Sequence, residues 1–586
     1  MKKNHPFLPM TAAEMKALGW TQCDIILVTG DAYVDHPSFG TAIIGRYLEA
    51  LGFRVGIIAQ PDWKQDTDFT ALGQPRLFFG VSSGNMDSMV NHYTAQKKIR
   101  SNDAYSPDGT MGQRPDRAVI IYTQVLKRIY KSTPVILGGV EASMRRIPHY
   151  DYWSDKVRNS VLFDSKADVL VYGMGENPIR DIAMGMKEGK SIGELTDIKG
   201  TVVSVKIPDV HAPLLLPAFE DCVSPEQFFH MSKTFHDNYR LGPIYQPFAG
   251  RYLKHNPPAN PLSDSEMDAI YTLPFTGYPH PSYLNREIPA FVQIRNSITS
   301  HRGCFGGCRF CTIGYHQGKQ IQSRTQDSII GEISRLTSQP YFRGTITDIG
   351  GPSANMYGMH CSKHIEETCK RDSCIYPDIC SLLDSKHQKL REMLKTARAI
   401  PKVKHVYISS GIRFDLSGDA DDYIREIAAY SIGGHLKLAP EHVEENVLKA
   451  MGKPSIDQYE SFCTKFTRAS KNAGKNQSVI PYIIVGHPGS GLKEGLQLAL
   501  YLLKHGIHLE QIQEFTPTPM TLSTCMYYTG LDWDTGKPIH VPKGREIRLQ
   551  KALAQWFMPE NRKYVTEALH KVRRSELLSV FFPPKR

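Results

Sequence analysis

Short apolar runs alternate with amphipathic stretches along most of this 586-residue chain. The first run, Asp24 to Thr29, enters the turn Gly30-Asp31-Ala32, and a helical pattern from Gly40 to Leu51 leads to a second run, Arg54 to Ala59. Apolar runs at Leu77–Ser82, Val135–Leu137 and Val169–Tyr172, with a helical pattern over Asp116–Tyr130, continue the series. Strand, turn, helix and strand in this order predict a doubly wound parallel sheet over roughly residues 20 to 190, with its binding crevice at the carboxyl ends of the strands. From about 205 to 288 the text turns Pro- and Tyr-rich and reads as a connector with short elements.

A second alternating series begins near Pro289. Strands are predicted at Phe291–Ser297, Thr345–Ile349, His405–Ser409, His435–Leu438, Val479–Val485 and Gln511–Phe515. Helices fall at Ser328–Leu336, Lys386–Ala399, Tyr423–Tyr430, Val443–Ala473 and Gly491–His505. Six strands alternating with helices predict a (β/α)6 partial barrel, whose site would lie at the strand C-termini. Two basic amphipathic helices, Gly544–Phe557 and Arg562–Val572, would cap it. The expected organisation is therefore an α/β domain over 1–204, a connector over 205–288, a barrel over 289–531 and a helical extension over 532–586.

Composition narrows this little. Apolar residues make up 41% and charged residues 22%, as in an ordinary soluble globular protein. The net charge of +11 is spread along the chain and favours an anionic partner such as RNA only mildly. The stretches Asn91–Arg117 and Met144–Asn159 concentrate cations and aromatics, and read either as surface loops or as contacts to a nucleic acid or nucleotide. No apolar run reaches the roughly eighteen residues of a membrane helix, and the N-terminus lacks a signal-peptide core, so a cytoplasmic protein with no membrane partner is expected.

The chemistry concentrates in Ser300-His301-Arg302-Gly303-Cys304-Phe305-Gly306-Gly307-Cys308-Arg309-Phe310-Cys311-Thr312, which packs three of eleven cysteines into eight residues. Three thiolates at CxxxCxxC spacing, on a glycine-rich loop free to wrap, suit a [4Fe-4S] cluster with one iron left open to bind a small molecule. The same cysteines with His301 or His316 would also satisfy a closed zinc site. A second group, Cys361, Cys369, Cys374 and Cys380, places four cysteines within twenty residues and matches a second cluster, an all-cysteine zinc site or free thiols. Cys23, Cys222, Cys463 and Cys525 stand alone.

CxxxCxxC with Phe310 before its last cysteine resembles the signature of radical S-adenosylmethionine (SAM) enzymes. The flanking text ITSHRGCFGGCRFCTIGYHQGKQIQSRT resembles the YgiQ family of that superfamily. The resemblance implies that Cys304, Cys308 and Cys311 hold the cluster, that SAM occupies the fourth iron, and that a donor such as flavodoxin or ferredoxin supplies the electron that yields a 5'-deoxyadenosyl radical. It places Gly350 and Gly351, in the turn Asp348-Ile349-Gly350-Gly351-Pro352, at the SAM amino group, with Pro352 where the family pattern has an acidic residue. Glu441, in HLKLAPEHVEENVLKAMGKP, falls at the acidic position that meets the SAM ribose, and Ser409 to Arg413 could reach the methionine carboxylate. Gly138-Gly139 and Gly173–Glu176 resemble turns of cobalamin-binding domains, so the N-terminal sheet is cobalamin-binding-like, and the expectation is a degenerate form of that domain that covers the active site or grips a substrate, with cobalamin binding as the alternative. The histidine motif of those domains is not matched, since His36 stands in Asp35-His36-Pro37. Neither a substrate nor a catalytic acid or base is implied. RNA or a nucleotide is one candidate substrate; cobalamin-assisted methyl transfer to a small molecule and a non-catalytic metal-binding or redox-sensing protein are the alternatives. The chain ends at Pro583-Pro584-Lys585-Arg586 without the long tail some relatives carry.

Overall fold

The computed structural model describes residues 6–208, 213–366, 368–417 and 420–583, so Pro584, Lys585 and Arg586 lie outside the described residues. It divides into two compact units. The first comprises Met1–Gly303, Thr312–Gly344 and Ile365–Lys370; the second comprises Cys304–Cys311, Thr345–His364 and Arg371–Arg586.

The first unit is built on a nine-stranded sheet. Its strands are β1 (Ile25–Thr29), β2 (Val55–Ala59), β3 (Phe78–Ser82), β4 (Val135–Leu137), β5 (Val169–Val171), β6 (Thr201–Val205), β7 (Leu214–Leu215), β8 (Ile244–Phe248) and β9 (Arg251–His255). They lie in the order β7-β8-β9-β6-β5-β4-β3-β1-β2. The five strands β2-β1-β3-β4-β5 are parallel, with Ile25 opposite both Val55 and Phe78. All five residues of β1 are buried, because helices cover both faces of a parallel sheet and leave no polar side to the strand. Each buried Ile or Val contributes about 1.5–3 kcal/mol.

The helices that matter below are α1 (Gly40–Ala50), α2 (Ala118–Ile129), α3 (Gly139–Met144) and α4 (Glu176–Lys187). The chain reverses direction across the sheet between β1 and β3, the switch point at which open α/β sheets form their crevice. The stretch read as a connector carries more than short elements: β9 pairs antiparallel with β6, β8 antiparallel with β9 and β7 parallel with β8, which extends the sheet, and a fourteen-residue helix covers Pro225–Asn238. The strand expected at Phe291–Ser297 is instead a helix over Pro289–Ile294, started by Pro289 in its first turn, followed by a three-residue strand at Ser297–Thr299.

In the second unit β10 (Thr345–Ile346) pairs parallel with β11 (His405–Val406), and β12 (His435–Glu441), β13 (Ser478–Val485) and β14 (Gln513–Glu514) form a parallel set. Helices Gln388–Arg398, Ile456–Asn472 and Leu492–Lys504 alternate with them. The helix expected at Tyr423–Tyr430 runs over Asp421–Glu426 and ends in a wider π-helical turn, Ile427–Ser431. Helices Arg545–Ala554 and Arg562–Lys571 share a core with Leu492–Lys504 that includes Leu498, Leu502, Leu549, Leu553 and Val565. Among the described residues no helix is long and apolar enough to cross a membrane.

Candidate metal and cofactor centre

The three cysteines of CxxxCxxC are each half-buried in the second unit. Gly307 has φ +66, and a Cβ there would come within 2.6 Å of the Ser373 Cβ, so the loop can pass this point only as glycine. Backbone bonds hold the loop on both sides: Arg309 N donates to Met451 O (2.9 Å) and Ser523 N to Arg309 O (3.0 Å). The Arg309 guanidinium grips both oxygens of Asp534 at 2.7 and 2.9 Å. Phe310, the aromatic of the motif, meets His487 edge to face with ring centroids 6.2 Å apart.

Two buried cations face the thiols. Arg413 Nη1 donates to Cys308 Sγ at 3.1 Å, while its Nε and Nη2 bind the Asp415 carboxylate at 2.9 and 2.6 Å. Burial pushes the Cys304 thiol above its ordinary pKa and the neighbouring Cys308 adds to this; Arg413, the Gly306 N–H and Lys453 oppose it. The Gly306 N–H lies 3.4 Å from Cys304 Sγ. Lys453 is itself buried, 4% exposed.

Glu441 belongs to the same charge cluster. Burial holds its carboxyl above the usual carboxylate range, against the pull of Lys453 and Arg413. The residue has φ +70 and sits where the pairing of β12 with β13 shifts register. A non-glycine side chain in the left-handed region costs free energy that the surrounding structure must supply, and such positions concentrate at functional sites.

The glycine turn and the Ser409–Arg413 segment are tied together. Asp348 accepts from Ser409 N (2.7 Å), Ser410 N (3.1 Å) and Ser410 Oγ (2.6 Å). A Cβ on Gly350 would stand 2.0 Å from Ser410 Oγ, so this close approach is possible only with glycine. Asn355, fully buried, donates to Arg413 O and accepts from Arg413 N. Within the cluster Ser409–Arg413 expected to reach the methionine carboxylate, the side chain of Arg413 is committed to Cys308 and Asp415. The spacing of the motifs does not single out Lys453, Asp415 or Asn355; the one available signal is that Lys453 stands inside the segment HLKLAPEHVEENVLKAMGKP and Asn355 three residues beyond the turn that ends at Pro352.

Of the second cysteine group, Cys374 N donates to Phe305 O (3.1 Å) and Ser373 Oγ to Gly306 O (2.9 Å), which anchors this segment to the first cysteine loop. Cys380 N donates to Cys374 O, and Cys361 pairs with Leu383, whose N–H donates to Cys380 O. Cys369 falls in the first unit. Among the described residues no three His, Cys, Asp or Glu side chains converge closely enough to hold a metal ion as they stand.

Three thiols on one clamped loop, a guanidinium donating to sulfur, a backbone N–H near a second sulfur and a buried ammonium form a donor set that fits an anionic iron-sulfur cluster. A cysteine has one χ1 to turn, so the loop backbone rather than the present rotamer decides that fit. His316 stands in the first unit, with Nδ1 3.0 Å from Ser143 Oγ.

The two basic stretches are less outward-facing than their composition suggests. Arg114 is buried between Asp31 and Asp103, at 2.9 Å from each, Arg145 is buried against Asp87, and Arg146 lies buried over the Tyr172 ring at 4.5 Å. Arg117 pairs with the buried Asp151. Lys97, Lys98 and Arg100 are exposed.

Known families align with this architecture. Residues 7–297 match the radical SAM N-terminal family, residues 298–502 the radical SAM superfamily, and residues 510–580 a domain of unknown function, DUF3362. The chain is thus a radical SAM protein. It is 51% identical over 576 residues to a UPF0313 protein of Methanocella arvoryzae, covering 97% of this chain and 96% of that one. It is 45% identical to the UPF0313 protein YgiQ of Escherichia coli, covering 98% and 87%. The chain belongs to the UPF0313 (YgiQ) family. Among solved structures it is similar to the radical SAM methyltransferase TsrM of Kitasatospora setae with cobalamin and a [4Fe-4S] cluster bound (14% identity, 86% and 74% covered, TM-score 0.47). It is also similar to the cobalamin-dependent enzyme OxsB with aqua-cobalamin bound (12% identity, 94% and 62% covered, TM-score 0.47).

Proposed function

We propose that Cys304, Cys308 and Cys311 bind a [4Fe-4S] cluster and that SAM is held beside it by Gly350, Gly351 and Glu441. The observation that carries this reading is the Arg413 guanidinium, buried and donating to Cys308 Sγ at 3.1 Å. A guanidinium hydrogen bond to sulfur is of the strong, charge-assisted kind when that sulfur is a cluster ligand. Held by Cys304, Cys308 and Cys311, a [4Fe-4S] cluster would supply one-electron reduction for the cleavage of SAM. The protein's own part is to oppose the burial of charge at the thiols, through Arg413, the Gly306 N–H and Lys453. It also presents small-residue backbone at Gly350 and Gly351 to an ammonium group, and offers the Glu441 carboxylate to a pair of hydroxyls. The electron would come from a small carrier such as flavodoxin or ferredoxin.

The decisive test is anaerobic reconstitution followed by a dithionite-driven assay for 5'-deoxyadenosine, in wild type and in a Cys304/Cys308/Cys311 triple alanine variant. Deoxyadenosine from wild type alone is expected; its absence, with iron and sulfide bound, defeats the reading. About four irons per chain mean one cluster, and about eight mean that the Cys361, Cys369, Cys374 and Cys380 group holds a second. The substrate reading is RNA or a nucleotide, motivated by the net charge of +11. Deoxyadenosine formation that does not rise on adding cellular RNA or nucleotides to the reduced enzyme would remove it.

A further inference from the structure

The cations of this chain are spread along it, but their excess is not. Residues 532–586 hold twelve Lys and Arg against six Asp and Glu, a net +6 of the chain's +11. Half of these cations stand on the helices Arg545–Ala554 and Arg562–Lys571 of the second unit, and Lys543, Arg573 and Arg574 flank them. Leu549, Leu553, Val565 and Leu569 turn inward to a shared core, which leaves the opposite face to solvent. The two helices run antiparallel, since Arg545 meets Glu567 and Arg548 meets Tyr564. On the outer face the Tyr564 ring, 9% exposed, lies beneath three exposed cations: Arg548 Cζ is 4.2 Å, Arg545 Cζ 4.9 Å and Lys563 Nζ 5.0 Å from its centre. Arg562 covers Phe582 in the same way at 4.9 Å.

Two observations say that these charges do not serve the fold. The first is their placement. Arg562 and Lys563 are the first two residues of their helix, whose first turn holds no acid. Arg545 is the first residue of the other, and Glu546 beside it is taken by His540. A cation at a helix N-terminus faces the positive end of the macrodipole and weakens the helix. Arg573 follows the second helix with φ +57, a position where glycine is the unstrained choice. The second observation is their pairing. Arg545 and Lys571 share Glu567, and Arg574 pairs with Glu576. Among the described residues no carboxylate pairs with Arg548, Arg562, Lys563 or Arg573, all of them exposed.

An anionic partner answers both. A protein partner needs apolar or aromatic anchors at the centre of its contact. This face offers none, because its rings lie under cations, and Val580 is the one large apolar side chain left exposed among the described residues of the segment. A phosphate backbone needs only cations within reach. We propose that the outer face of this helical pair docks the phosphate backbone of an RNA through Arg545, Arg548, Arg562, Lys563 and Arg573. The choice of RNA among polyanions rests on the substrate reading above; the face itself does not.

The test measures binding of a short mixed-sequence RNA to the full-length chain, without SAM or reductant, over a range of salt. Wild type should bind with a Kd of about 1–100 μM in about 150 mM salt, and log Kd should rise against log salt with a slope of about 3–4. Arg562→Gln/Lys563→Gln/Arg573→Gln should weaken binding at least tenfold and lower the slope by about 2–3, with the thermal midpoint no lower than wild type. Lys97→Gln/Lys98→Gln/Arg100→Gln removes as much charge from exposed cations of the first unit and should leave the affinity within about twofold. Should the first triple variant fail to fold, Lys563→Gln and Arg573→Gln taken singly should each lower the slope by about one. The proposal falls if wild type binds no RNA at about 100 μM, or if the Lys97 triple variant loses as much as the Arg562 triple variant. It falls equally if polyglutamate displaces the RNA at equal charge, which assigns the face to an acidic protein. RNA bound here that leaves deoxyadenosine formation unchanged removes the substrate reading and keeps the face. RNA that raises deoxyadenosine equally in wild type and in the Arg562 triple variant keeps that reading and removes the face.

Discussion

Arg413 shows how one side chain serves two masters. Its guanidinium reaches Cys308 with one nitrogen and Asp415 with two others, and both partners in that ion pair are buried, with side-chain exposures of 8% and 2%. Asp415 is held below the ordinary carboxylate range: its burial is outweighed by the charge and hydrogen bonds of Arg413. A depressed carboxylate contributes stability that is present above its unfolded value near 3.8 and is lost as pH falls through the lower folded value. Arg413→Met would leave the buried Asp415 charge with only the weaker pull of Lys453, at a cost of up to about 3–5 kcal/mol. The thermal midpoint of the variant should fall accordingly. Arg413→Met/Asp415→Asn should recover most of that loss, because it buries neither charge. Loss of the donor to Cys308 is not repaired by the second change, so the double variant should still reconstitute a cluster that is harder to reduce than wild type by roughly 50–100 mV, the worth of a charge-assisted hydrogen bond to sulfur. A double variant with wild-type potential would show that Arg413 acts only on Asp415.

At the scale of elements, the turn after the strand Asp348–Gly350 is where the SAM reading is most directly testable. Gly350→Ala places a methyl group 2.0 Å from Ser410 Oγ, and Ser410 is fixed by Asp348, so the turn must move. SAM affinity should drop tenfold or more while iron content stays near wild type. Adding Ser410→Ala, which removes the clashing oxygen, should return part of the affinity. Equal SAM affinity in wild type and Gly350→Ala would separate this turn from the cofactor. The turns themselves were legible in the sequence, because glycine pairs after apolar runs are local signals. So were β1 to β5, each a short, largely buried run whose ends fall within a residue or two of expectation. Less legible were elements set by their neighbours: Phe291 to Ile294 carries the composition of a strand but follows Pro289 into a helix, and the Pro- and Tyr-rich text of β7 to β9 is strand because an open edge of the sheet accepts it. Within the site, the cysteines and Gly350 announce themselves by spacing. Asp415, Asn355 and Lys453 acquire their meaning only when the chain brings them to the thiols, and no periodicity records that.

Across the whole molecule, buried histidines set the response to acid. Burial lowers His36, His316 and His387 to about 4, and His149, His442 and His487 to about 3. Each is neutral in the folded chain below pH 6.5, whereas in the unfolded chain it takes up a proton there, so each withdraws stability as pH falls from about 6.5 toward its folded value. Buried carboxyls act in the opposite sense: Asp31 is raised to about 6, and Glu141 and Glu441 are raised as well, all by burial, so the folded chain binds their protons first and gains on acidification. The histidines outnumber these carboxyls and their shifts span the window from 6.5 downward, so on balance unfolding takes up protons there and stability falls as pH falls. The urea midpoint of the apo chain should therefore decline between pH 7.5 and 5.5. A midpoint that holds level or rises over that interval would mean that these imidazoles keep their protons on folding, and that the interior around them is wetter or more anionic than the packing of His442 and His487 indicates.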